Sequence, residues 1–221
     1  VGHELRTPIT VVRGHLELID AADPDDVRQT RELALDELDR MGTLVAGLLE
    51  VARSSSVDFV SPAPTDVAAL TAQVLDKARA LGPRDWILDS SAEATAVLDP
   101  TRVTEAWLEL ATNAVKYSPP GSPIRLGSLV AGDELLLRVE DRGIGIAPED
   151  LPTIRRRLAR APQAAAMAPG TGLGLSVVEN IAAAHGGALD VESAPGRGSI
   201  FTLRLPLTPA RGAANESGGV P

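Results

Sequence analysis

Apolar residues recur near the start of the chain at Leu5, Ile9, Val12, Leu16 and Ile19. Steps of four and three give one narrow stripe, the seam of an amphipathic helix packed in a bundle. A second helix over about 27–53 carries Leu38, Met41, Val45, Leu48 and Ala52 on one stripe. Between them, Asp20-Ala-Ala-Asp-Pro-Asp-Asp26 reads as a turn. Pro8 falls inside the first pattern, where the loss of an amide should kink the helix. Two helices with one stripe each cannot close a core alone. The pattern therefore predicts a homodimer whose four helices bury both stripes.

The pattern changes after residue 54. Ser54-Ser-Ser56 and Ser61-Pro-Ala-Pro64 mark a linker at 55–64. Thr65 or Asp66 would cap a helix running to about 80, and short strands are expected at 85–89 and 94–98. Asp99-Pro100 opens a helix to about 117. Residues 123–130 and 133–141 form a hairpin around Ala131-Gly-Asp133. Residues 148–169 are poorly patterned and suggest a short helix and a mobile loop. A helix over 174–186 ends at Gly186-Gly187, followed by strands at 188–193 and 199–205 around a glycine turn. The fold class expected is α+β, with helices on one face of a largely antiparallel sheet. The domains read as a helical hairpin at 1–54, a linker at 55–64, a sandwich domain at 65–207 and a disordered tail at 208–221.

Composition narrows the function classes. Of 221 residues, 44% are hydrophobic but only 2% aromatic. The core must be built from Leu, Val, Ala and Ile. Few rings and a net charge of −9 argue against nucleic-acid binding. With no cysteine, disulfides, thiolate metal sites and cysteine nucleophiles are excluded. No apolar run approaches ~20 residues and no signal peptide is visible. Val1 already lies inside a helical pattern, so the chain is read as a fragment of a longer protein.

Several residues carry possible chemistry. Asp141 ends an apolar run, where its carboxylate can accept from an exocyclic amine, as adenine offers. Gly143 and Gly145 would let the backbone approach a ring without a Cβ clash. A plain Asp-Arg-Gly turn is the alternative. Gly170, Gly172 and Gly174 precede Leu175-Ser-Val-Val178, and amides at a helix N-terminus bind phosphate. No Walker lysine follows, and a flexible hinge stays open. Glu109, Asn113 and Lys116 share one face of the 99–117 helix. The Asn113 amide oxygen suits Mg²⁺, and Lys116 suits a phosphate, unless the face is simply solvated. His3 lies about 200° around the helix from Leu5. It therefore points to solvent on the face that Thr7 shares, with Glu4 beside it as a carboxylate partner for a nucleophilic imidazole. His15 reads as a surface residue, and His185 as part of the helix ending at Gly186-Gly187.

Four of these stretches occur in one order. His3-Glu-Leu-Arg-Thr-Pro8, Asn113-Ala-Val-Lys-Tyr117, Asp141-Arg-Gly-Ile-Gly145 and Gly170-Thr-Gly-Leu-Gly174 resemble the H, N, G1 and G2 boxes of bacterial sensor histidine kinases. The likeness runs from 2 to 207. It implies a dimerisation and histidine-phosphotransfer hairpin joined to a Bergerat-type ATP-binding α/β sandwich. By that pattern His3 accepts the γ-phosphoryl group of ATP, with Glu4 as its acid–base neighbour. Thr7 resembles the position that orients water when such proteins dephosphorylate their partner. Asn113, with Glu109 beside it, would hold Mg²⁺, Lys116 a phosphate and Asp141 the adenine amine. Tyr117, Gly143, Gly145, Arg160, Gly170, Thr171, Gly172, Leu173 and Gly174 would shape the pocket and its lid. The partner implied is a response regulator offering an aspartate. The setting implied is a cytoplasmic fragment of a protein anchored in the bacterial plasma membrane by a preceding sensor region.

Two departures stand out. Where the family reads Ile-Phe-x-x-Phe-x-Arg, this chain reads Ile154-Arg-Arg-Arg-Leu-Ala-Arg160, so both aromatic anchors are gone. Where many members carry another Asn, this chain has Glu109, and in related ATPases a Glu at this spacing activates water. The first departure carries the rival reading, a nucleotide-binding scaffold or phosphatase-biased member with weak autokinase activity.

Overall fold

The structure, a computed structural model, describes residues 2–20, 23–53, 59–154 and 174–208; the side chains of 2–6, 36, 39–40 and 42–53 fall outside it. The chain divides into two compact units, Val1–Ala52 and Arg53–Pro221.

In the first unit, α1 (Gly2–Leu18) and α2 (Pro24–Arg53) are joined by a short turn. Pro24 opens α2 slightly earlier than the apolar pattern suggested, because its fixed φ suits a first helical position. The turn is held by carboxylates: the Asp20 amide donates to Asp26 at 2.7 Å and the Asp25 amide to Asp23 at 2.9 Å. Helix α1 continues across Pro8, which is buried. Ile9, Leu16, Leu35 and Leu38 are each between 51% and 53% exposed, so one copy of the hairpin leaves its apolar seam largely open.

The second unit holds β1 (Ala63–Asp66), α3 (Val67–Arg79), β2 (Asp85–Ser90), β3 (Thr95–Leu98), α4 (Pro100–Tyr117), β4 (Pro123–Ala131), β5 (Glu134–Glu140), α5 (Leu151–Ile154), α6 (Gly174–Ala184), β6 (Ala188–Ala194) and β7 (Gly198–Pro206). Five strands form one sheet in the order β2-β4-β5-β7-β6. Only the β2–β4 pair is parallel; the others are antiparallel. Register sets one face: Leu126 opposes Val139, Val139 opposes Phe201, and Leu137 and Leu189 both oppose Leu203. These residues are buried under α3, α4 and α6, with α4 in the middle. Helix α4 meets them with Val103, Ala106, Trp107, Leu110 and Ala114, an i, i+3, i+4, i+7, i+11 stripe. The Trp107 indole N–H is satisfied by the Arg138 carbonyl at 3.2 Å.

Residues 59–64 depart from their reading as linker. Phe59 is buried in the core of the second unit, and Ala63–Asp66 pairs with β3 as a separate two-stranded sheet. Two prolines hid this strand, since proline cannot donate to a ladder and is confined to edges. The Ser61 amide donates to the Asp99 carboxylate at 2.9 Å, fixing this segment to the start of α4. The same carboxylate caps α4, accepting from the Thr101 and Arg102 amides at 2.9 and 3.1 Å. His185 closes the arrangement from α6: its Nε2 accepts the Asp99 amide at 3.0 Å, so its proton sits on Nδ1, 2.8 Å from the Ile181 carbonyl. The expected glycine end of α6 is present, with Gly186 at φ +74° and the Gly187 amide donating to Ala182 at 2.8 Å.

Candidate nucleotide site

Three elements bring the expected residues of the second unit together. Asp141 follows β5 directly and is buried. Its Oδ1 accepts the Gly143 amide at 2.7 Å, which turns the chain sharply and leaves the other oxygen free of that bond. The loop then crosses the end of α4, where the Ile144 amide donates to the Tyr117 carbonyl at 3.1 Å. A Cβ on Gly143 would collide with that carbonyl, so only glycine lets loop and helix approach this closely. Gly145 has φ +67°, a region other residues rarely adopt, and a Cβ there would strike the Ala194 carbonyl. These two positions are required by geometry.

Helix α4 carries the remaining expected side chains of this unit. Glu109, Asn113 and Lys116 are half-buried on it. Glu109 Oε2 stands 2.7 Å from where a Cβ on Gly174 would lie, and Asn113 Nδ2 3.9 Å from it. The carboxylate and carboxamide therefore face the first turn of α6. The Lys116 ammonium lies 5.5 Å from the Tyr117 ring centre, so both residues stay near the crossing of loop and helix.

Burial is the main cause that pushes the Glu109 carboxyl above the usual range. Repulsion from Glu105 adds to it, and Lys116 partly offsets it. Asp141 is shifted the same way by burial and by Glu140, against the Gly143 and Ser199 backbone amides that favour its charged form. A buried carboxylate with spare lone pairs suits a ligand bringing its own donor. Among the described residues no three acidic or histidine groups converge on one point. A cation here would take one or two oxygens from Asn113 and Glu109 and the rest from phosphate and water, which is how Mg²⁺ is usually held. The residues present fit both groups.

The other expected positions lie outside the described residues or in the first unit. Arg160, Gly170, Thr171, Gly172 and Leu173 lie outside the described residues. His3 and Glu4 lie in α1 with their side chains outside the description, and Thr7 is exposed on the same helix. His15 is exposed on α1 as well. The turn between β6 and β7 reads in the sequence as an ordinary glycine turn, yet it backs the whole loop. The Gly196 amide donates to the Ile144 carbonyl at 2.7 Å and the Asp141 amide to the Ser199 carbonyl at 2.9 Å. The pattern Gly196-Arg-Gly-Ser199 was the available signal, but a glycine turn between strands looks the same without a loop behind it.

Comparison with known proteins agrees with this arrangement. Residues 98–209 match the family model of histidine kinase-, DNA gyrase B- and HSP90-like ATPases, and residues 1–56 match the His Kinase A (phospho-acceptor) domain. The chain is 35% identical to the sensor-like histidine kinase SenX3 of Mycobacterium tuberculosis over 213 residues, covering 93% of this chain and 52% of that protein. It spans about half the length of the curated relatives it matches. Among solved structures, the histidine kinase AdeS of Acinetobacter baumannii superposes with a TM-score of 0.67 at 27% identity, covering 93% of this chain and 98% of that one. The histidine kinase ThkA, solved with the response regulator protein TrrA, shares the fold with a TM-score of 0.71 at 24% identity, over 94% of this chain and 60% of that one. With both domains matched in order, the chain belongs to the bacterial sensor histidine kinases of two-component systems.

Proposed function

We propose that this chain is the catalytic core that phosphorylates itself on His3 from ATP and passes the group to an aspartate of a response regulator. The observation carrying the reading is that α4 approaches both the Asp141 loop, at Tyr117, and the start of α6, at Glu109 and Asn113, in a chain that also matches a phospho-acceptor domain. Asp141 accepts the adenine amine, and Gly143 lets the ring approach the backbone. Lys116 and the amides leading into α6 take the phosphates. Asn113 and Glu109 would hold Mg²⁺, which when bound would supply charge neutralisation at the phosphates. The imidazole of His3 attacks the γ-phosphorus, the bond to the β-bridging oxygen breaks, and ADP leaves with that electron pair. Glu4 takes the imidazole proton. In the second step an aspartate oxygen displaces the imidazole from phosphorus. Thr7 orients water for a separate activity, in which that water displaces the regulator's aspartate oxygen from phosphorus and releases inorganic phosphate. The protein's part throughout is positioning and charge neutralisation.

The same reading makes residues 1–54 the dimer interface and assigns stimulus and membrane attachment to the part of the protein preceding this chain. No helix among the described residues is long and apolar enough to cross a membrane. Incubation with γ-labelled ATP and Mg²⁺, comparing the chain with His3→Gln, tests the proposal. Acid-labile label that disappears in the variant is the expected result. Nucleotide binding without label would favour a scaffold or phosphatase instead, a reading motivated by Arg155 and Leu158 in the places of the lid aromatics.

A further inference from the structure

The contacts behind the Asp141–Ile146 loop converge on one hydroxyl in β6. The Ile146 amide donates to Ser193 Oγ at 2.8 Å, Ser193 Oγ donates to the Gly198 carbonyl at 2.9 Å, and Ser199 Oγ stands 2.9 Å from Ser193 Oγ. A serine hydroxyl has one proton and two lone pairs. With its proton on Gly198, Ser193 accepts from both the Ile146 amide and the Ser199 hydroxyl, and its capacity is used in full. The partners matter because they sit at both ends of the loop. Ile146 closes it, while Ser199 pairs with Asp141 where it begins. Gly198 approaches Asp141 so closely that a Cβ would collide with the Asp141 carbonyl. Ser193 and Ser199 are directly opposed across β6 and β7, so the pair is part of the sheet and does not move with the loop.

We propose that Ser193 is a positioning residue for nucleotide binding, tying both ends of the Asp141–Ile146 loop to the rigid β6–β7 turn. It sets where the Asp141 carboxylate stands relative to Tyr117 and α4. The Ser193 hydroxyl fixes the Ile146 amide to the sheet, beside the backbone bonds at Asp141 and Ile144, and so helps order a loop whose two glycines are costly to fix in one conformation. The inference rests on the reading of Asp141 as the adenine acceptor.

The test uses the whole chain with Mg²⁺ and measures affinity for ADP, with GDP as competitor, beside thermal unfolding without nucleotide. Ser193→Ala is expected to weaken ADP binding roughly fivefold to tenfold, the effect of one lost hydrogen bond. Its preference for ADP over GDP should narrow, and Ser193→Thr, which keeps the hydroxyl, should restore both. Wild-type affinity in Ser193→Ala, or a threonine variant as weak as alanine, would overturn the proposal. If Ser193→Ala does not fold, Ser193→Cys replaces it, because a thiol keeps the bulk but accepts poorly; the same outcomes apply. Asp141→Asn separates the two levels. If it abolishes binding while Ser193→Ala binds normally, only the positioning role fails. If Asp141→Asn also binds normally, the reading of the pocket fails.

Discussion

A carboxyl on the inner face of α4 meets two opposing demands. Glu109 is half-buried, with Glu105 one turn away, and both burial and that neighbour favour its protonated form. A folded pKa above the unfolded one means a stability contribution that is full below about pH 4.3 and lost as pH rises through the folded value. At neutral pH the ionised group therefore works against folding when no cation is bound. Glu109→Gln should raise the unfolding temperature of the nucleotide-free protein near pH 7 and flatten its pH dependence between mildly acidic and neutral buffer. The same variant should lose part of the Mg²⁺ dependence of ADP affinity, if Glu109 is a metal ligand as proposed. Scanning calorimetry and titration on one preparation give both numbers, and an unchanged melting temperature would remove the premise of strain. Asp141 and the glycines after it were legible in the sequence because an acidic residue ending an apolar run, followed by alternate glycines, is a local pattern. What those glycines touch was not legible. The Tyr117 carbonyl beneath Gly143 and the Ala194 carbonyl beneath Gly145 come from residues far along the chain. Ser193 had no signal at all, since a serine at the end of a strand usually only meets solvent.

Helix α4 shows which elements can be read from sequence and which only from their surroundings. Its start was legible: Asp99-Pro100 pairs a capping side chain with a residue preset for the first turn. Its stripe of Val103, Ala106, Trp107, Leu110 and Ala114 marked the buried face. Strand β1 was not legible, because four residues with a proline carry no alternation and gain their ladder only by lying beside β3. Asp99 joins these elements. Burial alone would raise its pKa, but the amides of Ser61, Arg102 and Thr101, with His185 nearby, hold it below the usual carboxylate range. A depressed folded pKa gives stability that is present above about pH 4 and lost as pH falls through the folded value. Asp99→Ala should destabilise the second unit by about 1–2 kcal/mol, the usual cost of a lost cap. Asp99→Asn keeps the acceptor but not the charge, so it should lose less and show a shallower decline on acidification below about pH 4. Urea unfolding at neutral and acid pH measures both. Equal loss in the two variants would show that charge, and not the cap geometry, supplies the stability.

The whole molecule combines two units with different sources of stability. The second closes its own core, with three helices over one face of a five-stranded sheet. The first is a hairpin in which Ile9, Leu16, Leu35 and Leu38 remain about half exposed. Fully burying one leucine or isoleucine is worth about 1.5–3 kcal/mol, so four open positions on two helices leave a large part of that gain unrealised in a single copy. In the proposed dimer a second hairpin would supply the missing surface, and folding of this unit would then depend on protein concentration by mass action. Unfolding should therefore occur in two transitions. The midpoint of the helical hairpin should rise by several degrees over a hundredfold increase in concentration, which is worth about 2.7 kcal/mol per mole of dimer. The midpoint of the sandwich unit should stay fixed. Replacing Leu38 by Glu places a charge on the seam and should abolish the concentration dependence, with sedimentation equilibrium reporting the monomer mass. A hairpin that melts at one temperature at every concentration would mean that its apolar seam is covered by something other than a second copy, and the four-helix bundle would have to be given up.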